Sequence, residues 1–221
     1  MSLTAALAVL VKDARCELRS KQALSAVLLF GVTSTVAVSF TLGAMGVDSA
    51  VSATLLWIVI YFSAMAGLSR SFTHEEETQT AGLLRLAVPA ESVYLGKLTF
   101  NIITLILLEL VTVPLFVVLM DCHIARVGVF IPVLLLGNLA LSAGATTAAA
   151  MVCRAASRGA LFAGISFPLL APALGIAISG TDAAMSGSGL PGAMADIRML
   201  AYYCGIVITA SLMLFRYIWE E

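Results

Sequence analysis

Charge is what this sequence has least of. Of 221 residues, only 11% are Asp, Glu, Lys or Arg, where a soluble globular domain carries about 25%. Hydrophobic residues make up 61%, and the mean hydropathy is +1.04. A water-soluble fold of that composition would expose large apolar patches, so lipid is the solvent that fits. Cysteine is sparse and scattered. Cys16, Cys122, Cys153 and Cys204 form no C-x-x-C and no C-x-x-C-H, so the patterns of zinc sites, dithiol redox pairs and covalent haem attachment are missing. The two histidines, His74 and His123, fall on opposite sides of the membrane topology derived below and cannot share a metal. No Ser/His/Asp set and no H-E-x-x-H occurs. Gly96-Lys97 looks like the end of a P-loop, but Leu98 follows in place of Ser/Thr and Glu91 stands at the first glycine position. That motif therefore does not bind ATP here. No basic patch suits nucleic acid. Nothing alternates with period two over about ten residues, which argues against a β-barrel. No enzyme activity is expected of this chain.

What is present is long apolar runs. A helix rises 1.5 Å per residue, so a hydrocarbon core of about 30 Å needs roughly 20 apolar residues. Six stretches meet that length: about Ala23–Gly43, Ala50–Leu68, Leu98–Met120, Gly128–Val152, Ala160–Ser179 and Leu200–Ile218. Backbone polar groups in lipid must pair internally, so the stretches should be helices. The expected fold is all-α, a six-span membrane protein in one transmembrane domain. Ten of the twelve Lys and Arg residues fall on one side of these spans, and only Arg126 and Arg198 on the other. The positive-inside rule then places both termini in the cytoplasm, as an even number of spans requires. Tyr202, Tyr203, Tyr217 and Trp219 sit near the two ends of the sixth span, where interfacial aromatics are expected.

The first 22 residues are a separate feature. Leu3, Leu7, Leu10, Ala14 and Leu18 recur at three- and four-residue steps among Lys12, Arg15, Arg19 and Lys21. This is an amphipathic helix, too short and too charged to span, expected to lie along the cytoplasmic interface. The basic residues follow the apolar run, the reverse of a signal peptide, so the segment is expected to be retained.

The substantial loop is residues 69–97, between spans two and three. An acidic patch, Glu75, Glu76 and Glu77, comes first. Thr78 or Thr80 can cap a short helix carrying Leu83, Leu84 and Leu86, and Pro89 stops it. Leucines at an aqueous surface are costly unless they dock. A second protein and the lipid headgroups are both candidates to cover them.

Within the spans, Glu109 is the sole carboxylate. An ionised carboxylate at mid-membrane costs about 2.5–3.5 kcal/mol on insertion scales, so Glu109 should face protein or water, or carry a proton. Pro114, five residues on, is positioned to kink the same helix. Pro168 and Pro172 lie four apart in span five and suggest a bent or re-entrant segment. Gly137, Ser142, Gly144 and Ala148 give span four a small-residue face suited to close helix packing, a dimer seam included.

At the loop the sequence resembles a family. The F-x-x-E-x-E opening at Phe72, the leucine-rich turn, the proline and the closing Gly96-Lys97 resemble the second cytoplasmic segment of the haem exporter protein B family. That family supplies the permease subunit of the cytochrome c maturation ABC transporter. Three further segments are similar in order and spacing: D-A-R-C-E-L-R at Asp13–Arg19, R-A-A-S-R-G-A at Arg154–Ala160, and F-P-L-L-A-P-A-L at Phe167–Leu174. A departure is Gln79-Thr80, where such permeases usually carry Gly-Thr or Gly-Ser. It bears on how the short helix starts.

The resemblance implies a permease without its own ATP site. Its loop, with Glu75, Glu76, Glu77, Thr80, Leu83, Leu84, Leu86 and Pro89, would seat a coupling helix in a groove of a cytoplasmic ABC ATPase. It implies a second copy of the chain, a tryptophan-rich haem-handling membrane protein and a small single-span subunit, all in the bacterial inner membrane. ATP would sit on the ATPase and haem would be handled by the complex, with no cofactor on this chain. Hydrolysis would drive haem export, or release of a haem-loaded chaperone in the periplasm. The sequence bears on that choice. Haem iron takes an axial His, Cys or Met in most proteins, and no span holds a histidine. With Trp57 and Trp219 its only tryptophans, the chain lacks a tryptophan-rich haem-handling segment. The alternatives are another small-molecule ABC exporter and a secondary transporter without an ATPase. The latter calls for paired intramembrane polar groups or inverted repeats, which the sequence does not display.

Overall fold

The computed structural model of the chain describes residues 2–42, 46–72, 75, 76, 78–153, 155, 158–187 and 189–220. Glu77 and His74 lie outside them. Among the described residues there is no strand. The helices are α1 (Leu3–Ser20), α2 (Gln22–Leu42), α3 (Ser49–Leu68), α4 (Ala81–Ala87), α5 (Ala90–Leu119), α6 (Val127–Val152), α7 (Arg158–Ser186) and α8 (Leu190–Glu220). Six of these, all but α1 and α4, are long and apolar enough to cross a membrane.

Three helices are longer than the apolar runs predicted. α5 begins at Ala90 instead of Leu98, α7 ends at Ser186 instead of Ser179, and α8 begins at Leu190 instead of Leu200. Hydropathy finds the hydrocarbon-facing stretch, but the backbone ladder runs on past it. The polar residues in the extensions find partners: Asp182 accepts from the Ser49 hydroxyl at 2.5 Å, and Asp196 from the Ser179 hydroxyl at 2.9 Å.

α7 corrects the re-entrant expectation. It is one continuous helix of 29 residues through Pro168 and Pro172, about 43 Å long at 1.5 Å per residue. Both prolines are exposed on the outside of the bundle. Pro114 likewise sits inside unbroken α5, on its exposed side. A proline ring removes one N–H bond from the ladder and crowds the carbonyl four residues back. Neighbouring turns carry the helix past that point.

α6 is the centre of the bundle. Every residue from Ala140 to Ala150 is buried, packed on α7 and α8 and, more lightly, on α5 and α3. Its small residues are what let the neighbours in. A Cβ at Gly137 would fall 2.0 Å from Trp57 Cη2, and one at Gly144 would fall 2.4 Å from Leu170 Cδ2. Trp57 in turn donates its indole N–H to Thr181 at 2.8 Å, joining α3 to α7. Gly137, Ser142, Gly144 and Ala148 are all buried inside one chain. The small face is thus consumed by intramolecular packing and not by a dimer seam. α2 is the least enclosed span. Among its described residues only Val27, Gly31 and Thr35 are buried, a one-turn repeat, with Gly31 against Leu108 and Thr112 of α5, while Leu28, Val38 and Leu42 pack on the core half-buried.

α1 lies against the start of α5. Val9 is its one buried residue. Gly96 makes the contact possible, because a Cβ there would fall 2.7 Å from Val9 Cβ and 2.8 Å from the Ala6 carbonyl. Leu3, Leu7, Val11 and Leu18 are exposed, as an interfacial helix requires. The Ser2 hydroxyl caps the Ala5 N–H, and Lys21 in the left-handed conformation ends the helix. α1, α4 and the end of α8 all gather at one end of the bundle.

Candidate coupling surface and the polar ladder behind it

The segment between α3 and α5 turns one side outward and the other inward. The inward side starts at Glu75, 2% exposed. Its Oε1 accepts from Lys97 Nζ at 2.8 Å and also pairs with Lys12. Asp13 closes the cluster, 2.8 Å from Lys12 and 3.2 Å from Lys97. Lys97 is itself 2% exposed. It also donates to the Ser71 carbonyl at 2.5 Å and lies 4.8 Å from the centroid of the Phe72 ring. Burial alone would raise the Glu75 carboxyl. The Lys97 and Lys12 ammonium groups outweigh it and hold the carboxyl at about 2. For Lys12, burial opposes the charge, and Asp13 and Glu75 more than restore it, so its pKa is raised. A buried pair of this kind is costly to break from one side, because the remaining charge stays buried.

The outward side is α4. Thr80 takes the N-cap position, but its side chain does not cap the helix and instead shares a hydrogen bond with the Thr78 hydroxyl at 2.9 Å. Val88 ends α4 through its N–H to the Leu84 carbonyl at 3.0 Å, and Pro89 opens α5. Seven residues are too few for a helix to stand alone, so α4 depends on its contacts. Ala81 is buried and Leu84 packs against the core. Arg85 lies with its Cζ 5.1 Å from the centre of the Trp219 ring. Leu83 is 70% exposed and Leu86 89% exposed.

From the ion cluster a ladder of buried hydrogen bonds descends between α5 and α6. The Ser71 hydroxyl donates to Asn101 Oδ1 at 3.1 Å, and Asn101 Nδ2 to the Thr146 hydroxyl at 2.8 Å. Thr146 donates to the Ser142 carbonyl at 2.6 Å, and the Ser142 hydroxyl to Asn138 Oδ1 at 3.2 Å. Asn138 Nδ2 then donates to Glu109 Oε2 at 3.1 Å. Lys97, Asn101 and Glu109 lie on one stripe of α5, and Asn138, Ser142 and Thr146 are one turn apart on α6. Twelve residues separate Lys97 from Glu109, about 18 Å of helix. Glu109 is 4% exposed, and its Oε1 has no hydrogen-bond partner.

The residues predicted from sequence thus part company. Leu83 and Leu86 share the bare face of α4, while Leu84 turns inward. Glu75 belongs to the buried ion cluster and not to an exposed acidic patch, and Glu76 is half-buried beside it. Sequence reasoning missed Lys12, Asp13 and Lys97 as one cluster, since 84 positions separate Asp13 from Lys97. It also missed Asn101 and Asn138. Both are polar side chains inside apolar runs, and that is the signal by which they could be found.

At the opposite end, a cleft of about 370 Å³ is lined by Gly46, Val47, Ser49, Ser52, Met120, Asp121, Cys122, His123 and Met185. His123 is exposed there. Among the described residues no three His, Cys, Asp or Glu side chains gather as a metal site, and no disulfide joins two of the cysteines. A family model described as CcmB protein matches residues 4–216. No curated protein matches the chain.

Proposed function

The chain belongs to the CcmB protein family, the haem exporter protein B family, and from that premise we propose that it docks a cytoplasmic ABC ATPase through the bare leucine face of α4. Family membership makes it a multi-pass membrane permease subunit of the haem-export and cytochrome c maturation ABC transporter. The finer reading places it in the bacterial inner membrane with α1, α4 and both termini on the cytoplasmic side, following the bias of Lys and Arg. A second copy, a tryptophan-rich haem-handling membrane protein and a small single-span subunit complete the assembly. ATP is hydrolysed on the ATPase. The work drives haem export, or release of a haem-loaded chaperone on the periplasmic side. The absence of histidine from every span favours haem being held by a partner.

The observation that carries the docking role is the pairing of exposure with anchorage. Leu83 and Leu86 are exposed on a helix whose other side is tied down by apolar contacts and by Arg85. A helix that only dipped into headgroups would need no such fixed mount. Both leucines should therefore be replaced, and Leu84, which packs inward, left alone. With Leu83→Asp and Leu86→Asp together, recovery of the ATPase with the detergent-solubilised chain should fall at least tenfold while the permease still reaches the membrane. Undiminished recovery would sink the docking role. Transport in vesicles lacking any ATPase would instead favour a secondary transporter.

A further inference from the structure

The ion cluster ties the loop to α1 and α5, but α4 has a second mount that leads elsewhere. We propose that Arg85 and Trp219 are a positioning pair through which movement of the docked α4 reaches the C-terminal end of α8. The inference rests on the docking role proposed above, and it assigns the inward side of α4 rather than the outward one.

The geometry is specific. Arg85 Cζ stands 5.1 Å from the Trp219 ring centroid. Its Nε is buried without a hydrogen-bond partner, so the ring face is the contact that this part of the guanidinium makes. A cation over an indole face is attracted by the ring quadrupole, the more so when water is excluded. The planar guanidinium can lie on that face where an ammonium cannot. The ring is in turn fixed. Trp219 stacks on Phe215 at 5.4 Å and 18°, and leans on Phe72 at 5.9 Å. Phe215 meets Tyr94 of α5 at 5.4 Å. One turn above Phe215, Ser211 accepts from Thr147 of α6 at 2.6 Å. A displacement of Arg85 therefore meets a packed aromatic stack belonging to α8 and not a loose side chain. Nothing else in α4 is both charged and turned inward.

The test uses the full chain in nanodiscs with unlabelled ATPase. In a Trp57→Phe background Trp219 is the sole tryptophan of the permease, and 5-fluorotryptophan labelling makes it a single ¹⁹F reporter. Adding a non-hydrolysable ATP analogue should shift that resonance. Arg85→Ala should abolish the shift and lower cytochrome c maturation at least tenfold, with ATPase recovery within twofold of the parent. Arg85→Lys keeps a cation and should restore part of both. Trp219→Leu should match Arg85→Ala in maturation, and the double variant should be no worse than either alone. An unchanged ¹⁹F shift in Arg85→Ala would overturn the proposal. So would loss of ATPase recovery in Arg85→Ala, which would make Arg85 part of the docking face. Failure of the docking role itself reads out separately, in the Leu83→Asp, Leu86→Asp protein. Should Arg85→Ala not reach the membrane, the nucleotide-dependent shift in the parent decides, and no shift there would overturn the pair.

Discussion

Glu75 and Glu109 stand at the two ends of one hydrogen-bond ladder, and each is almost wholly buried. Their surroundings differ. Glu75 lies between two ammonium groups, with Asp13 balancing the second. Glu109 meets one amide donor, Asn138, and among the described residues no cation pairs with it. The contrast shows how the chain uses its scarce charge. Ionised side chains gather where α1, the loop and α5 meet, at the edge of the bundle. Deeper in, neutral amides and hydroxyls carry the ladder. Burying a charge is tolerable only when it is paired and hydrogen-bonded, whereas a neutral donor and acceptor need only each other. The two carboxylates should therefore respond to the same substitution to very different degrees.

The larger effect belongs to Glu75. Replacing it with Gln leaves Lys97 buried with only Asp13 for an anionic partner. Breaking a buried pair from one side costs about 3 kcal/mol or more. Glu75→Gln should thus lower the denaturation midpoint of the solubilised chain and free the loop from α1. Limited proteolysis would report the second effect as new cleavage near residues 73–80. A midpoint equal to the parent's would mean that Glu75 is not held as a charge.

The next effect is the pH dependence of the same cluster. The Glu75 carboxyl is held at about 2 when folded, against an ordinary value of 4.5. A depressed carboxyl contributes its full stability above the unfolded value and loses it as pH falls through the folded one. The parent should therefore lose stability progressively between about pH 4.5 and 2. Glu75→Gln should show a flatter slope over that window. Parallel slopes for the two proteins would remove Glu75 from the acid transition.

Much of this was legible in the sequence, and what was not has identifiable causes. The six spans follow from length and hydropathy alone. α4 follows from Pro89 and the leucines, and even its bare face was readable: Leu83 and Leu86 are three apart and share a side, while Leu84 lies about 100° away. The burial of Glu75 was not legible, because a run of three glutamates has the appearance of a solvated surface. Its partners, Lys12 and Lys97, come from different elements, and only the close approach of α1 at Gly96 brings them together. The use of the α6 glycines was half legible. Small residues predict close packing, but whether the neighbour is Trp57 of the same chain or a second copy depends on topology. Arg85 and Trp219 lie 134 positions apart, and periodicity does not pair residues across such a distance.

The smallest expected effect sharpens the comparison most. Glu109→Gln keeps the shape of the side chain and an oxygen to accept from Asn138. With no cation at hand to be orphaned, the change should cost less than about 1 kcal/mol. The denaturation midpoint should stay close to the parent's, in contrast to Glu75→Gln. Glu109→Leu is the control. It removes the acceptor and leaves the Asn138 amide buried without a partner, at about 1–3 kcal/mol. If Gln is as harmful as Leu at this position, Glu109 carries a charge or a proton that the complex uses. Equal tolerance of both would show that the ladder ends at Asn138, and that the carboxyl below it contributes nothing to folding.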